Sequence, residues 1–465
     1  MGILIKNGTI VTALNEYKAD ILIEGEKIAA IGQNLNASGN EIVDAEGMYI
    51  LPGGVDQHTH FSFQYGDAIV RGFETSSAAL VGGTTTVIDF VNQEAGKGIA
   101  ETIEKYNEQK VSGVAMVDYS FHGVVTDPND EVFKEIPKLP DYGIPTIKLF
   151  MAYKGFPYHS DDSAVFKALQ ASKEAGVTIM VHAENADIID VLQKQCIAQG
   201  HVEPKYHAVS RPPLAEAEAT QRAIYLAAIA EAPIYIVHVT CKEAMEAVRD
   251  AYIKGIAAYG ETCTHYLVLG EENLAKPNFE GAKYVCSPPL RTQEHQHALW
   301  EAVRKGWLTA VSSDHCGFDW KTHKHMGKDD FTKIPNGAPG LENRLAVLWT
   351  YGVETGKISR QKLVEIFATN PAKINGIFHR KGHIGVGYDA DLVIFDPTWR
   401  GVMTVEGSLQ GVDYCTFEGM EQKGRPDKVY LRGKLTVEKG KFIGQKGQGE
   451  FIEGKPFGLC YENFK

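Results

Sequence analysis

Eight short apolar runs rich in β-branched residues recur between residues 53 and 315, and each is followed by a stretch with helical periodicity. The runs occupy residues 53–61, 85–91, 117–125, 146–151, 178–183, 234–239, 256–266 and 309–315. Helical periodicity is clearest over residues 164–175, 215–230 and 242–253. Eight strand–helix units in succession predict an α/β fold, a TIM-like (β/α)8 barrel.

The two chain ends carry a different pattern, in which short β-like runs are separated by glycines. Near the start the runs occupy residues 3–5, 9–11, 21–23 and 28–31, and near the end 391–395, 428–431 and 434–437. We expect the first group to form a small antiparallel sheet, and both ends together to form a smaller β-sandwich domain. The predicted division is 1–52 (sandwich), 53–378 (metal-dependent catalytic barrel) and 379–465 (sandwich and C-terminal tail).

The charge balance favours a small-molecule partner. Acidic residues outnumber basic ones by 59 to 47, a formal net charge of -12, so nucleic acid and anionic membranes are not expected as partners. Residues 1–8 contain no basic segment leading into a long apolar run, so we expect neither a signal peptide nor a membrane anchor. The expected location is the cytoplasm. The 7 cysteines are scattered without metal-binding spacing and are predicted to be reduced thiols.

Residue types that bind metals occur at the ends of several predicted barrel strands, where the active site of such a barrel forms. The first run ends in His58-Thr59-His60. Because side chains alternate along a strand, both imidazoles face the same way and can reach one metal. Lys148 stands inside the apolar fourth run, where a bare ammonium is costly to bury without a partner or a chemical change.

Three further runs end in residues that can bind a metal, namely His182, His238 and Asp314. Each of these residues, taken singly, is also compatible with a hydrogen-bonded core position. Four histidines, a lysine and an aspartate at the ends of five strands nevertheless indicate one shared metal site at the rim of the barrel.

A series of longer motifs follows in order along almost the whole chain. These motifs are Pro52-Gly53-Gly54-Val55-Asp56-Gln57-His58-Thr59-His60, the Lys148 run, Val181-His182-Ala183-Glu184-Asn185, Ser210-Arg211-Pro212-Pro213, Glu261-Thr262-Cys263, Ser287-Pro288-Pro289-Leu290-Arg291, Ser313-Asp314-His315-Cys316 and Asn336-Gly337-Ala338-Pro339-Gly340-Leu341-Glu342. Together they resemble the dihydropyrimidinase and hydantoinase family of the amidohydrolase superfamily, including D-hydantoinases and phenylhydantoinases. The resemblance implies a hydrolase that opens 5-substituted hydantoins or 5,6-dihydropyrimidines to N-carbamoyl amino acids.

The resemblance also implies two divalent metal ions, with zinc as the expected metal. The ligands of the first ion would be His58, His60 and Asp314, and those of the second His182 and His238. A carbamate on Lys148 (N6-carboxylysine), formed from carbon dioxide, would bridge the two ions. The chemistry agrees, because carbamylation turns a buried cation into a bidentate anion that two dications stabilise. An internal salt bridge of Lys148 is the alternative.

A mechanism follows from this implied centre. Two ions about 3.5–4 Å apart lower the pKa of a bridging water, and the resulting hydroxide attacks the ring carbonyl. Asp314 would take the proton of the nucleophile and deliver it to the leaving ring nitrogen. By the resemblance, the Tyr153 hydroxyl donates to the developing oxyanion, with a purely structural tyrosine as the alternative. Ser287 and Asn336 would hold the amide groups of the substrate, largely through backbone atoms.

The residues after the first metal motif bear on the choice of substrate. Allantoinases and dihydroorotases usually carry an arginine shortly after His-x-His, whereas the first arginine here is Arg71, so these activities are the alternative. Several aromatic residues are instead predicted to line an apolar gate for an aromatic or bulky substituent: Phe61, Phe63, Tyr65, Tyr153, Phe156 and Tyr158.

Two other classes of protein share this kind of barrel. A non-catalytic scaffold resembling dihydropyrimidinase typically loses metal ligands, whereas suitable chemistry is retained here at all the expected positions. A deaminase usually uses one metal without a lysine carbamate, so Lys148 argues against it.

Homologous enzymes commonly form tetramers, so a homotetramer, or a homodimer, is expected. The tail at residues 447–465, with Phe451, Phe457 and Tyr461, is available to pack on a neighbouring subunit. The polar stretch at residues 321–328 contains a second His-x-His and is predicted to be a solvated mobile lid rather than a metal site.

Overall fold

The computed structural model describes residues 2–456 of the chain. Eight parallel strands, here β1 to β8, are arranged in the sheet in the order of the chain. They are Gly54–His60, Thr84–Asn92, Asp118–Val124, Thr146–Phe150, Thr178–His182, Ile234–Ile236, Ala258–Cys263 and Ala310–Ser312. Each overlaps one of the apolar runs seen in the sequence, and the predicted (β/α)8 barrel is confirmed.

The barrel closes through an interruption of its last strand. β8 pairs with β7, whereas the segment His315–Cys316 pairs with β1. Only Ser313 and Asp314 lie between these two pieces, and Asp314 has a φ of 47°, a left-handed conformation that is uncommon outside glycine. Closure of the barrel therefore determines where Asp314 stands.

Helices alternate with the strands. The α-helices are Ser77–Val81, Ile99–Tyr106, Asp130–Glu135, Asp162–Ser172, Ala186–Ala198, Tyr206–Val209, Pro213–Ala230, Lys242–Ile253, Thr264–Val268, Gln293–Lys305, Arg344–Leu348, Arg360–Val364 and Asn370–Ile374. π-helical segments lie at Asn107–Val111, Trp349–Val353 and Glu365–Thr369. Short 3-10 helices lie at Phe73–Thr75, Ile136–Tyr142, Glu271–Ala275, Glu280–Tyr284, Lys324–Gly327, Phe331–Lys333 and Leu341–Asn343. The predicted helix at 242–253 has the predicted limits, and those at 164–175 and 215–230 begin two residues earlier than predicted, where Asp161 caps one helix and Pro213 starts the other.

The chain ends form two further sheets outside the barrel. One has the order Lys27–Gly32, Asp20–Glu24, Ile3–Lys6, Glu41–Asp44. The other has the order Lys441–Phe442, Lys434–Glu438, Glu421–Leu431, Leu392–Val402, Tyr49–Pro52, Thr9–Val11, Glu16–Lys18. A short hairpin joins Gln64–Tyr65 to Ala68–Ile69. Both sheets contribute to one buried apolar cluster, so the predicted β-sandwich of both chain ends is present.

The expectation of one antiparallel sheet from the first fifty residues is wrong. Thr9–Val11 pairs in parallel with Tyr49–Pro52 in the sheet of the C-terminal strands, and Ile3–Lys6 pairs in parallel with Glu41–Asp44. The physical reason is that a sandwich core needs apolar residues from opposing sheets, and Ile5 and Ile10 enter the same cluster from different sheets. We propose domain boundaries at 52/53 and 378/379, which the strand pairings support.

The described part of the tail packs on its own barrel. The Phe451 ring stacks on Phe121 with centroids 5.5 Å apart, and the backbone of Tyr119 in β3 bonds to Glu450 and Ile452. Phe457, Tyr461 and Cys460 lie outside the described residues. The cysteines within residues 2–456 are free thiols, as predicted. Over the same residues, no helix combines the length and apolarity needed to cross a membrane.

A buried ion cluster joins the barrel to the sandwich. Lys381 is 1% exposed, and its Nζ lies 2.5 Å from Asp118 at the start of β3. The same Nζ lies 2.8 Å from Asp391 and 2.9 Å from Asp389, which precede the strand Leu392–Val402. Lys381 thus contacts carboxylates from both parts of the molecule, at the end of the barrel opposite the strand ends that carry the predicted ligands. Arg432 also pairs with Asp118, and Lys27 and Arg380 also pair with Asp389.

We predict that Lys381→Met lowers the free energy of unfolding by about 3–5 kcal/mol, because it leaves the buried carboxylate of Asp391 without a salt-bridge partner among the described residues. Denaturant unfolding measures the change. Lys434→Met is the matched control: Lys434 is 69% exposed, 4.0 Å from Glu26, and should change stability by less than about 0.5 kcal/mol. Equal stabilities of the two variants would contradict the assigned role.

Candidate metal centre

The predicted ligands of the first ion meet at the carboxyl end of the barrel. His58 and His60 end β1, and both Nε2 atoms approach the same oxygen of Asp314, at 3.2 Å and 3.3 Å. One ligand atom from each of these three residues lies within 4.8 Å of the others. Lys148, from β4, reaches the same point, with its Nζ 3.2 Å from His58 Nε2. The structure therefore brings together residues that are far apart in the sequence.

The predicted ligands of the second ion stand beside this group. His182 ends β5, and His238 follows β6 by two residues with a φ of 39°. Their ring centroids are 4.5 Å apart, and the His238 ring is 5.3 Å from that of His58. His238 and Asp314 both have left-handed backbones, a strained conformation that clusters at functional sites.

Lys148 forms no salt bridge with a carboxylate of the described residues, although the charges of Asp314 and Glu261 act on it and oppose the lowering of its pKa by burial. Its side chain is 1% exposed, and its Nζ lies over the rings of Phe90 at 4.3 Å and Phe150 at 4.9 Å. Within residues 2–456, no carboxylate forms a salt bridge with it, so the internal ion pair considered as an alternative is absent there. Burial lowers the pKa of Lys148 to about 8, which makes the neutral amine accessible near neutral pH.

The donor set fits divalent metal ions. His238 Nδ1 is buried and has no hydrogen-bond partner among the described residues, an expensive state that a metal ion would relieve. Burial, reinforced by neighbouring Lys148, holds the pKa of His58 well below its ordinary value. Burial likewise holds the pKa of His238 well below its ordinary value. Neutral imidazole is the form that binds metals.

Two carboxylates that belong to the sequence motifs, but were not predicted to have a role, orient these histidines. Glu261 in β7 lies 2.6 Å from His58 Nδ1, and Glu184 lies 2.7 Å from His182 Nε2. Arg211 donates to Glu184 at 2.6 Å. Glu184 was recognisable in principle as a candidate, because it is an acidic residue only two positions after His182, where β5 ends. The position of Glu261 depends on how β7 is placed against β1.

The centre opens into a cavity at the carboxyl end of the barrel. Its lining includes the remaining predicted site residues, Tyr153, Ser287 and Asn336. The Tyr153 hydroxyl lies 3.4 Å from Asn336 Nδ2, and burial raises the pKa of Tyr153 to about 12, so the phenol keeps its proton. The other described residues lining the cavity are His60, Phe63, Asn92, Lys148, Phe150, Tyr158, His182, His238, Asp314, Cys316 and Gly337.

The predicted aromatic gate forms in part. Phe63, Tyr153 and Tyr158 line the cavity, and Phe156, half exposed, stacks on Tyr158 with centroids 5.5 Å apart. The prediction for Phe61 is wrong. Its ring is buried, and its centroid lies 4.4 Å from that of Phe73. Strand alternation turns the ring away from the side that His60 faces. The side chain of Tyr65 is not among those described.

The prediction of a solvated lid at residues 321–328 holds only in part, since half of the stretch is exposed and the rest packs into the molecule. Lys324 is fully buried, and its ammonium donates to backbone carbonyls. His325 Nδ1 lies 2.8 Å from the carbonyl oxygen of Trp320. The polar composition was misleading because one of the carbonyls that accept hydrogen bonds from Lys324 lies about 40 residues earlier in the chain. The sequence around Lys324 does not show that acceptor.

Comparison with known proteins agrees with this geometry. Residues 49–436 match the amidohydrolase family. A D-hydantoinase of Geobacillus stearothermophilus is 47% identical, covering 98% of this chain and 97% of the relative. A D-phenylhydantoinase of Escherichia coli is 37% identical, covering 98% and 99%. The solved structure of a dihydropyrimidinase from Brevibacillus agri is 46% identical, with a TM-score of 0.96, covering 98% and 99%.

Fold and centre together define a metal-dependent hydrolase, and the chain belongs to the amidohydrolase family. Within that family it groups with the hydantoinases and dihydropyrimidinases. This confirms the resemblance read from the sequence motifs, the fold class, and the prediction of a hydrolase that acts on the carbon–nitrogen bond of cyclic amides.

We predict that Glu184→Gln weakens metal binding by about 10-fold or more, since the variant removes the charge that orients His182. Metal content measured after dialysis against graded chelator gives the affinity. Glu272→Gln, at an exposed glutamate, is the control and should leave the affinity unchanged. Identical metal retention by both variants would show that Glu184 does not tune the centre.

Proposed function

We propose that this protein opens the ring of 5-substituted hydantoins by metal-dependent hydrolysis and releases N-carbamoyl amino acids. The observation that carries the proposal is the convergence of four histidines, Lys148 and Asp314 on a cavity with apolar rings in its wall. Relatives similar over almost the whole chain and named D-hydantoinase or D-phenylhydantoinase support this substrate class.

We assign two divalent cations, with zinc as the expected metal, to the centre. The assigned ligands are His58, His60 and Asp314 for one ion, and His182 and His238 for the other. When bound, the ions would supply an activated water molecule and a Lewis acid for the scissile carbonyl. Imidazole and carboxylate donors suit zinc.

Lys148 is assigned as a carbamate that bridges the two ions. The neutral amine adds to the carbon of carbon dioxide and releases a proton, which leaves an anion on the side chain. The support is the lowered pKa of Lys148 and the absence of a salt bridge to it within residues 2–456. A buried anion between two cations is favourable where a buried lone cation is not.

Asp314 is assigned as the group that moves the proton. Burial opposes ionisation of its carboxyl, but His58 and His60 outweigh this and hold the pKa of Asp314 well below its usual range. The carboxyl is therefore ionised at neutral pH, which is the form that a proton acceptor must have. It then returns the proton to the ring nitrogen as the amide bond breaks, since a ureido nitrogen that leaves without a proton is a poor leaving group.

Tyr153, Ser287 and Asn336 are assigned to the substrate. The phenol of Tyr153 is protonated and donates to the carbonyl oxygen as negative charge develops there. Its left-handed backbone, with a φ of 65°, turns the ring from the end of β4 into the cavity. Ser287 and Asn336 hold the ring amide groups, largely through their backbone atoms.

The cavity suits a neutral ring with an aromatic substituent. Among its described lining residues there is no arginine, and Arg71 is bonded instead to Asp319 at 2.6 Å and to the Gly411 carbonyl at 2.8 Å. A carboxylate on the substrate, as in dihydroorotate, would lack a guanidinium partner. Phe63 and Phe150 instead offer apolar surface to a ring substituent.

We further propose a cytoplasmic homotetramer, with a homodimer as the alternative. The support for assembly is an exposed apolar side on the helix Pro213–Ala230, where Leu214, Tyr225 and Ile229 are 69%, 53% and 69% exposed. Molecular mass in solution measures the assembly state.

A substrate panel tests the proposed function. With zinc and bicarbonate present, we expect kcat/KM for 5-phenylhydantoin to exceed that for dihydrouracil by about tenfold or more, since burial of a phenyl ring is worth about 2 kcal/mol. Allantoin and dihydroorotate should rank below both. Much faster turnover of dihydrouracil than of phenylhydantoin would refute the proposal that the cavity prefers substrates with an aromatic substituent.

The carbamate is tested by Lys148→Ala. We expect most of the bound metal to be lost and hydrolysis to fall by about 10²–10³-fold, the scale of metal stabilisation of the transition state. Added propionate, a carboxylate able to occupy the vacated space, should restore part of both. Full metal content and activity in Lys148→Ala would refute the bridging role.

A further inference from the structure

Lys324 is fully buried and yet has no acidic partner within residues 2–456. Its Nζ lies 2.8 Å from the carbonyl oxygen of Val285, 2.6 Å from that of Pro335 and 2.5 Å from that of Gly337. An ammonium group has three N–H donors, so each donor has one acceptor here. The cation is therefore held by three backbone carbonyls, and its Nζ also lies 5.6 Å from the centroid of the Phe318 ring.

The three carbonyls belong to the two segments that carry the assigned substrate-binding residues. Val285 stands two residues before Ser287, and Pro335 and Gly337 stand on either side of Asn336. The Gly337 amide also donates to the Val285 carbonyl, at 3.1 Å. Lys324 therefore bridges the two segments directly behind the cavity wall.

The positive charge of Lys324 stabilises the place where the three carbonyl oxygens converge. Converging carbonyl oxygens repel one another through their partial negative charges, and a cation between them turns that repulsion into attraction. Burial lowers the pKa of Lys324 to about 7, whereas the three carbonyl oxygens favour the charged form. A neutral side chain of similar length would leave at least one carbonyl buried without a donor.

We propose that Lys324 is a positioning residue for substrate binding. It sets the separation between the backbone at Ser287 and the backbone at Asn336, so that both grip the amide groups of one ring. Lys324 itself is not among the residues lining the cavity and acts through the two segments. This inference rests on the proposed function, because it assigns a support to the same substrate contacts.

The test compares Lys324→Met with Lys328→Met, a control at an exposed lysine four residues further on. For Lys324→Met we expect KM for 5-phenylhydantoin to rise about tenfold, with kcat changed by less than about threefold. The reason is that backbone contacts to the ring amides act equally in the ground state and the transition state. Metal content should equal that of the unaltered protein, and the control should leave KM and kcat unchanged.

A second variant separates positioning from folding. Lys324→Gln keeps two N–H donors but no charge, and should give a KM between those of the unaltered protein and Lys324→Met. Lower thermal stability with unchanged KM in both variants would overturn the inference and leave Lys324 a stability element. The inference would fall equally if neither variant accumulated as folded, metal-loaded protein. Failure of the unaltered protein to hydrolyse any hydantoin would instead refute the proposed function.

Discussion

Closure of the barrel at Asp314 is the constraint on which the rest of the structure depends. One short chain segment must complete the pairing of β8 with β7 and of His315–Cys316 with β1. The residue in the gap has a left-handed backbone, and its carboxylate meets the two histidines that end β1. The segment that closes the barrel therefore also places Asp314 at the centre of the site.

Three buried lysines show different ways in which the structure compensates the free-energy cost of burying a positive charge. Lys381 has several carboxylates around it and joins two parts of the molecule. The hydrogen bonds of Lys324 go to backbone carbonyls, which it draws together behind the cavity. Lys148 forms no salt bridge with the described residues and lies among histidines and aromatic rings. A buried cation is stable only with compensation, and the kind of compensation separates an interdomain contact, a loop support and a reactive site.

Much of the barrel and most of the proposed centre followed from the sequence because both depend on local pattern. Strand alternation made His58 and His60 neighbours, and the rule that sites form at the carboxyl ends of strands connected them with His182, His238 and Asp314. The pattern failed where the partner was distant. The sequence predicted a strand at Thr9–Val11 but not the sheet to which the strand belongs. Lys324 was predicted to be solvated because the sequence does not show which carbonyls accept its hydrogen bonds.

The sequence by itself determined the order of strands and helices, the chemical types at the strand ends, and the family resemblance carried by its motifs. Only the tertiary structure decided that Glu261 and Glu184 hold the histidines, that Phe61 turns away from the cavity, and that Lys324 ties together the segments of Ser287 and Asn336. The physical reason is the range of the interactions. Periodicity and backbone preference act between neighbours in the chain, whereas hydrogen bonds to buried charges are chosen by whichever groups the fold brings within about 3 Å.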